Sequence, residues 1–285
     1  MSPTPKRRGL GPLAAGDLVQ LTDPKGRMHT IQLTPGKEFH THRGLIGHDE
    51  LIGQPEGIVV SSAGGTDYLA LRPLLSDYVL SMPRGATIVY PKDAAQIVGM
   101  ADICPGANVI EAGAGSGALS CSLLRAVGAD GSVTSYERRP EFADVARANV
   151  ERFFGEVPST WTLEVGDVID APGEAVADRL VLDMLAPWEI VETGARLLVP
   201  GGVFCAYVAT TTQLSATVEA LRSHGGFAEP APWESMVRGW HVDGLAVRPE
   251  HRMIGHTGFL VTTRRLAPGV TAPVRRKRPS KGAPG

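Results

Sequence analysis

The stretch Asn108-Val-Ile-Glu-Ala-Gly-Ala-Gly-Ser-Gly-Ala-Leu119 decides the fold of this 285-residue chain. A short apolar strand, Asn108 to Ala112, runs into alternating glycines, and helical spacing follows from Gly117 to Val127. Strand, glycine turn and helix in that order make a nucleotide-binding turn. The glycines allow positive φ and close approach of the backbone to a ligand. The start of the helix offers unpaired amides.

Beyond the turn, strands and helices alternate. Val133 to Glu137 reads as a second strand. Phe142, Val145, Ala146, Asn149, Val150 and Phe153 then recur at helical spacing. Trp161 to Val165 is a third strand and Leu180 to Asp183 a fourth. Pro187 to Leu198 reads as a helix stopped by Pro200-Gly-Gly202. Val203 to Val208 is a fifth strand, Thr212 to His224 a helix ending at Gly225-Gly226, and Leu245-Ala-Val247 and Phe259 to Thr263 supply two late strands. Before the turn, Val79 to Met100 is expected to be largely helical around a start at Pro91. This alternation predicts an α/β fold with a parallel, doubly wound sheet.

The segment up to Arg72 has a different texture. Leu18 to Leu21 and Met28 to Leu33 are candidate strands, and Ile58 to Val60 and Tyr68 to Leu71 flank the hairpin turn Ala63-Gly-Gly-Thr66. The expected division is a small N-terminal β domain over 1–72 with its first dozen residues flexible, a larger domain over 73–268, and a disordered basic tail over 269–285.

The glycine turn alone does not choose a ligand, because Gly113-x-Gly115-x-x-Ala118 also satisfies the NAD fingerprint. Two features favour S-adenosylmethionine. Glu111 precedes the first glycine by two residues, where an acid accepts from an ammonium group and repels a pyrophosphate. Leu198-Val-Pro-Gly-Gly202, leading into the fifth strand, resembles the turn of class I methyltransferases. The cofactor cradle is then Gly113, Gly115, Ser116, Gly117, Ala118 and Leu119. Glu137, at the end of the second strand, is placed to accept from both ribose hydroxyls. Asp167 follows the third strand, where this fold meets the adenine amino group. Phe142, just beyond Glu137, is a candidate to pack on the adenine, although a core role is the plainer reading.

The fourth strand ends in Val181-Leu-Asp183-Met-Leu-Ala-Pro187-Trp188. An acid at the carboxyl end of a central strand faces the cofactor crevice, so Asp183 is the candidate catalytic residue and also a candidate cofactor neighbour. Amino methyltransferases acting on DNA adenine carry Asp/Asn-Pro-Pro-aromatic at this point; here the proline comes later. With Phe39-His-Thr-His-Arg-Gly-Leu-Ile-Gly47, Arg72-Pro-Leu-Leu75, Met82-Pro-Arg84, Tyr90-Pro-Lys-Asp-Ala-Ala-Gln-Ile97 and Tyr207-Val-Ala-Thr210, this motif completes a pattern. From Gly16 to Pro268 the chain resembles the TrmI family of bacterial tRNA (adenine-58-N1) methyltransferases, in its actinobacterial or mycobacterial form.

The resemblance implies a Rossmann-like seven-stranded sheet with a small N-terminal β domain, S-adenosylmethionine as cofactor, a tRNA substrate, a cytoplasmic homotetramer, and methylation of N1 of adenosine 58 in the T-loop. It places Tyr90 and Tyr207 on either side of the target adenine, with Asp183 stabilising that base. The chemistry agrees. Adenine N1 attacks through its own lone pair, so no strong base is needed; positioning and a seat for the developing positive charge are. The base must first be extruded from its fold.

Composition bounds the alternatives. Net charge is -2, but Lys6, Arg7 and Arg8 open the chain and Arg275, Arg276, Lys277, Arg278 and Lys281 close it. Such basic arms suit phosphate contacts or simple solubility. Cys104, Cys121 and Cys205 are scattered, against a disulfide framework or zinc knuckle. No signal peptide or membrane span is expected. His40, His42 and His48 cluster without a cysteine, so no metal is expected. Arg238, Arg248, His251 and Arg252 are either a phosphate-contacting stretch or a solvated face, and Trp188, Trp233 and Trp240 read as core or interface. Competing readings are a same-fold enzyme acting on protein isoaspartate, a dinucleotide-dependent oxidoreductase, and a non-catalytic RNA-binding module.

Overall fold

The computed structural model describes residues 11–273. The basic residues at both ends therefore lie outside the described residues. The chain divides into two compact units. Of the described residues, one comprises 11–91, 115–122 and 140–159; the other comprises 92–114, 123–139 and 160–273.

The first unit carries six short strands: β1 (Leu18–Thr22), β2 (Met28–Gln32), β3 (Glu38–Thr41), β4 (Gly44–Gly47), β5 (Ile58–Ser61) and β6 (Asp67–Leu71). An antiparallel sheet of order β2-β1-β6-β5 is joined by a separate β3-β4 hairpin. Sequence reading missed β3 and β4, which are short and rich in Thr, His and Gly. Alternation along β6 buries Tyr68 and Ala70 in a cluster with Leu13, Val19, Leu21, Leu33, Ile46 and Leu51. Arg72 staples the N-terminal segment: its guanidinium pairs with Asp17 at 2.7 Å and Glu56 at 3.1 Å and donates to the carbonyls of Gly11 and Pro12. His48 is buried, and its Nδ1 accepts from Thr34 N at 3.0 Å.

The helix expected over Val79 to Met100 is two helices. α1 (Leu75–Ser81) stops at Met82, which is extended at φ -64, ψ 153, and α2 (Pro91–Met100) starts afresh. Pro83 is the reason, since a proline cannot donate to the helix and biases its predecessor away from helical backbone. Pro91 opens α2 because its missing N–H is not needed in a first turn.

The second unit is built on a seven-stranded sheet. Its strands are β7 (Asn108–Ala112), β8 (Ser132–Glu137), β9 (Trp161–Val165), β10 (Ala177–Asp183), β11 (Leu198–Val208), β12 (Ala231–Trp233) and, after a hairpin β13 (Trp240–Asp243) and β14 (Ala246–Pro249), β15 (Phe259–Arg264). Their order is β12-β15-β11-β10-β7-β8-β9. The strands from β11 to β9 are mutually parallel, while β15 runs antiparallel to both β11 and β12. The chain moves outward from β7 through β8 to β9, then returns to β10 on the other side of β7. This is a topological switch point, where an open α/β sheet leaves a crevice at the strands' carboxyl ends.

The remaining helices are α3 (Ala118–Val127), α4 (Pro140–Phe154), α5 (Val191–Leu197) and α6 (Thr211–His224). Thr210 and Gln213 form a reciprocal cap at the start of α6, and Gly225 ends it in the left-handed conformation at φ 73. Leu180, Leu182, Ile190, Leu197, Phe204, Leu221 and Val261 make the core.

Of the two expected late strands, Phe259 to Thr263 is present as β15, and the other differs from expectation. The residues around 245–247 do not join the main sheet; they pair with β13 in an isolated ribbon whose residues are nearly all exposed. The strand that caps the sheet beside β15 is Ala231–Trp233. A ribbon with both faces in solvent has no alternation to read, and Pro232 disguised the edge strand.

Candidate active site

Within the second unit, the switch point opens into a cavity of about 410 Å³. Gly113, Glu137, Asp167 and Asp183 line it, with Tyr136, Arg138, Arg139 and Met184. The first and fourth parallel strands deliver their ends here. Gly113 follows β7, Asp183 ends β10, and the two backbones touch: a Cβ on Gly113 would lie 1.9 Å from Asp183 O, and Gly113 itself is at φ 91. Only glycine permits this junction.

Glu111 sits on β7 with no solvent exposure, beneath the cavity rather than on its surface. Ser135, its register partner on β8, donates to Glu111 Oε2 at 2.5 Å, and Trp161 Nε1 on β9 donates to Ser135 Oγ at 2.9 Å. Trp161 is diagonal to Ser135 across the strands, within reach of an aromatic side chain. The relay fixes a charge where burial alone would be costly. Neither Ser135 nor Trp161 was singled out from sequence; each looked like an ordinary strand residue.

At the end of β8, Glu137 is nearly buried, and its Oε1 accepts from Arg139 N and Arg139 Nε, both at 3.1 Å. Asp167 caps the short turn that follows β9, accepting from Ile169 N at 3.1 Å, with Arg138 at 3.5 Å from its other oxygen. Asp183 is half-buried, and no donor among the described residues reaches its carboxylate. Burial first, then the charges of Glu111 and Glu137, push its pKa up to about 7. The cavity is thus acid-lined at its centre, with the arginines on the Glu137 and Asp167 side.

Tyr207 lies directly across from Asp183 on the adjacent strand β11. Its hydroxyl donates to Thr257 O at 2.8 Å. Burial and the nearby Asp93 hold it protonated, well above the usual phenol range. Asp93 itself is fully buried on α2 and gathers donors from Lys92, Ser235 and Thr257. Lys92 and Asp93 stood inside a quoted motif but received no role from sequence, because their other partners, Ser235 and Thr257, lie more than a hundred positions away.

The other sequence-predicted residues belong to the first unit. The loop from Gly113 continues into it at Gly115. Ser116 is buried; its hydroxyl accepts from Gly85 N at 3.2 Å and Ala86 N at 3.4 Å, and its carbonyl accepts from Asn149 Nδ2 at 2.9 Å. Gly117 is at φ 75 and abuts Ala146 O, and Ala118 and Leu119 are buried at the start of α3. The Phe142 ring lies against the backbone of Gly85. Tyr90 is half-buried, immediately before α2. The histidines do not converge: His48 is internal, while His40 is exposed and 3.4 Å from Glu38. Cys121 and Cys205 are buried and Cys104 exposed, all as thiols.

Comparison with known proteins places this geometry. Residues 11–60 match the family described as TrmI-like N-terminal, and residues 68–257 match the tRNA methyltransferase complex GCD14 subunit. A Thermus thermophilus protein named tRNA (adenine(58)-N(1))-methyltransferase TrmI is 38% identical over 246 residues, covering 86% of this chain and 95% of its own length. Among solved structures, a Thermotoga maritima protein titled SAM-dependent O-methyltransferase aligns at TM-score 0.84 and 32% identity, covering 93% of this chain and 96% of that one. The Aquifex aeolicus tRNA (m1A58) methyltransferase TrmI aligns at TM-score 0.79 and 25% identity, covering 90% and 100%. The fold is that of the S-adenosylmethionine-dependent methyltransferases, and the chain belongs to the TrmI/GCD14 family of tRNA (adenine(58)-N(1))-methyltransferases.

Proposed function

We propose that this protein methylates N1 of adenosine 58 in the tRNA T-loop, with Asp183 holding the target base. The donor set fits S-adenosylmethionine. Its sulfonium and ammonium are cationic, and Glu111, Glu137 and Asp183 place three carboxylates at or beneath one cavity; a dinucleotide pyrophosphate would be repelled there. The volume lies in the range of small-molecule sites, and the bare Gly113 backbone lets the end of β7 lie directly against Asp183 O in the cavity wall. Glu137 would hold the ribose hydroxyls and Asp167 the adenine amino group, with Phe142 against the ring. The backbone of Gly113, Gly115, Ser116, Gly117, Ala118 and Leu119 would wrap the methionine part, since the Ser116 hydroxyl is already engaged. Glu111 would act on the ammonium through its charge. When bound, the cofactor supplies an electrophilic methyl group.

The chain's own residues do the rest. Asp183 accepts from the exocyclic amino group of the target adenine and stabilises the positive charge that grows on that base. A bound cation offsets the repulsion from Glu111 and Glu137, which keeps Asp183 ionised for this task. Tyr90 and Tyr207 would flank the base and keep it in line. The single observation that carries the reading is Asp183 in the lining of the switch-point cavity, its carboxylate met by no donor among the described residues. Transfer of labelled methyl to a tRNA transcript, with nucleoside analysis and a primer-extension stop at position 58, tests it. Near-normal turnover by Asp183→Ala sinks the assignment. A second reading has one observation in its favour: a carboxylate with a pKa of about 7 also suits removal of a hydroxyl proton, as O-methylation needs. Nucleoside analysis separates a methylated ribose from 1-methyladenosine.

We further propose a cytoplasmic homotetramer. No helix among the described residues is long and apolar enough to cross a membrane, and the exposed Trp240, Val242, Leu245 and Val247 of the β13–β14 ribbon support burial against other copies. The domain division at residue 72 is supported by the two separately matched families, and the tail beyond residue 268 is proposed as an accessory basic arm.

A further inference from the structure

The connection from β12 to β15 leaves the sheet at Trp233 and returns at Phe259, on the side where the parallel strands end. Between those points it carries the exposed ribbon. Its two ends are gathered by one carboxylate. Ser235 Oγ donates to Asp93 Oδ1 at 3.3 Å, and Thr257 Oγ1 donates to Asp93 Oδ2 at 2.5 Å. Lys92 Nζ pairs with Asp93 Oδ1 at 2.6 Å and donates to Ser235 O at 2.8 Å. One position before each of these in the chain, Glu234 and His256 meet at 3.1 Å, and His256 also contacts Ala209 O at 3.1 Å. The returning end is pressed on Tyr207: a Cβ at Gly258 would lie 2.4 Å from Tyr207 Cζ, and the hydroxyl of Tyr207 is held by Thr257 O and stands 3.5 Å from Asp93 Oδ2.

We propose that Asp93 is a positioning residue for methyl transfer. It clasps both ends of the 234–258 connection and, through Thr257, holds Tyr207 in one orientation across from Asp183. This rests on the functional reading of Asp183 and Tyr207 given above. A buried carboxylate is a poor choice for stability alone, because apolar residues of similar volume usually serve as well. Here it ties together three segments far apart in the chain, all at the cavity end of the sheet, and the group it immobilises is the neighbour of the candidate catalytic acid. A small displacement of such a group costs orders of magnitude in rate.

The test uses the full chain and a tRNA transcript. Asp93→Asn and Thr257→Val are expected to lower kcat roughly 10- to 100-fold, with KM for S-adenosylmethionine little changed, since the carboxylates on β7 and β8 are untouched. Thr257→Ser keeps the donor and is expected to stay near wild type. In a Tyr207→Phe background the Asp93→Asn loss is expected to shrink, because the two act on one group. Trypsin cleavage at Arg238 and Arg252, read without cofactor, is expected to rise in Asp93→Asn and Thr257→Val but not in Thr257→Ser. Normal kcat in Thr257→Val, or full additivity with Tyr207→Phe, overturns the positioning role. Unchanged cleavage overturns the clasp. Wild-type protein that transfers no methyl to tRNA overturns the functional reading itself, and is recognised before any variant is compared.

Discussion

Replacing Asp183 by Asn should make the protein more stable and less active at once. The asparagine keeps the shape and one acceptor oxygen but removes the charge. In the folded chain, burial and the charges of Glu111 and Glu137 raise the Asp183 pKa from its ordinary 3.8 to about 7. That rise corresponds to ~4 kcal/mol of destabilisation by the ionised form. The sign follows from linkage. An acid whose pKa is raised by folding binds its proton more tightly in the folded state, so the penalty is complete above pH 7, fades as pH falls toward 3.8, and is absent below that. Without cofactor, Asp183→Asn should therefore melt roughly 5–10 °C higher than wild type at pH 8. The gap should close as the buffer is acidified toward pH 4. Calorimetry at matched protein concentration measures it. Methyl transfer by the same variant should fall by about 10²- to 10³-fold. Equal melting temperatures at pH 8 would show that burial and the neighbouring carboxylates do not penalise the ionised Asp183 as its position implies.

The neighbours give further expectations. Glu137→Gln should weaken S-adenosylmethionine binding roughly 10- to 100-fold, the value of hydrogen bonds to a charged group, and isothermal calorimetry showing an unchanged Kd would refute its ribose role. It should also lower the Asp183 pKa, since it removes one of the charges that raise it. Gly113→Ala forces a Cβ to within 1.9 Å of Asp183 O at a φ of 91; a loss of about 3 kcal/mol or more in urea unfolding is expected, and an unmoved midpoint would contradict the geometry. His256 is held by Ala209 O and by Glu234, and these raise its pKa above 6.5. Anchoring of the 234–258 connection should be complete below that pH and lost as pH rises through the raised value. Trypsin resistance relative to His256→Ala at each pH should converge on unity, and a constant ratio would count against the pair.

The parallel sheet was legible because its signals are local. Apolar runs mark buried strands, and the glycine turn between β7 and α3 needs only a few consecutive residues. Glu137, Asp167 and Asp183 were legible for the same reason: each follows a strand at the end where the crevice must lie. What escaped was interaction at a distance. Asp93 and Thr257 lie 164 positions apart, and neither residue type announces a partner. Ser135 and Trp161 are buried between less buried neighbours, as filler residues would be, so the relay beneath Glu111 left no periodic trace. The break at Met82-Pro83 shows the opposite failure, in which apolar periodicity outvoted a proline that physics places first.

The acid-lined cavity has a consequence for what binding exchanges. Around pH 7 the site without donor holds, on average, a fraction of a proton on Asp183, kept there by burial and then by its two fellow carboxylates. A cation entering the cavity supplies the charge that the proton had supplied, and the proton leaves. Donor and proton are therefore competitors for one seat, linked reciprocally as any two such ligands must be. The heat of S-adenosylmethionine binding should then depend on the ionisation enthalpy of the buffer, and acidification should weaken binding without any residue of the cradle having moved.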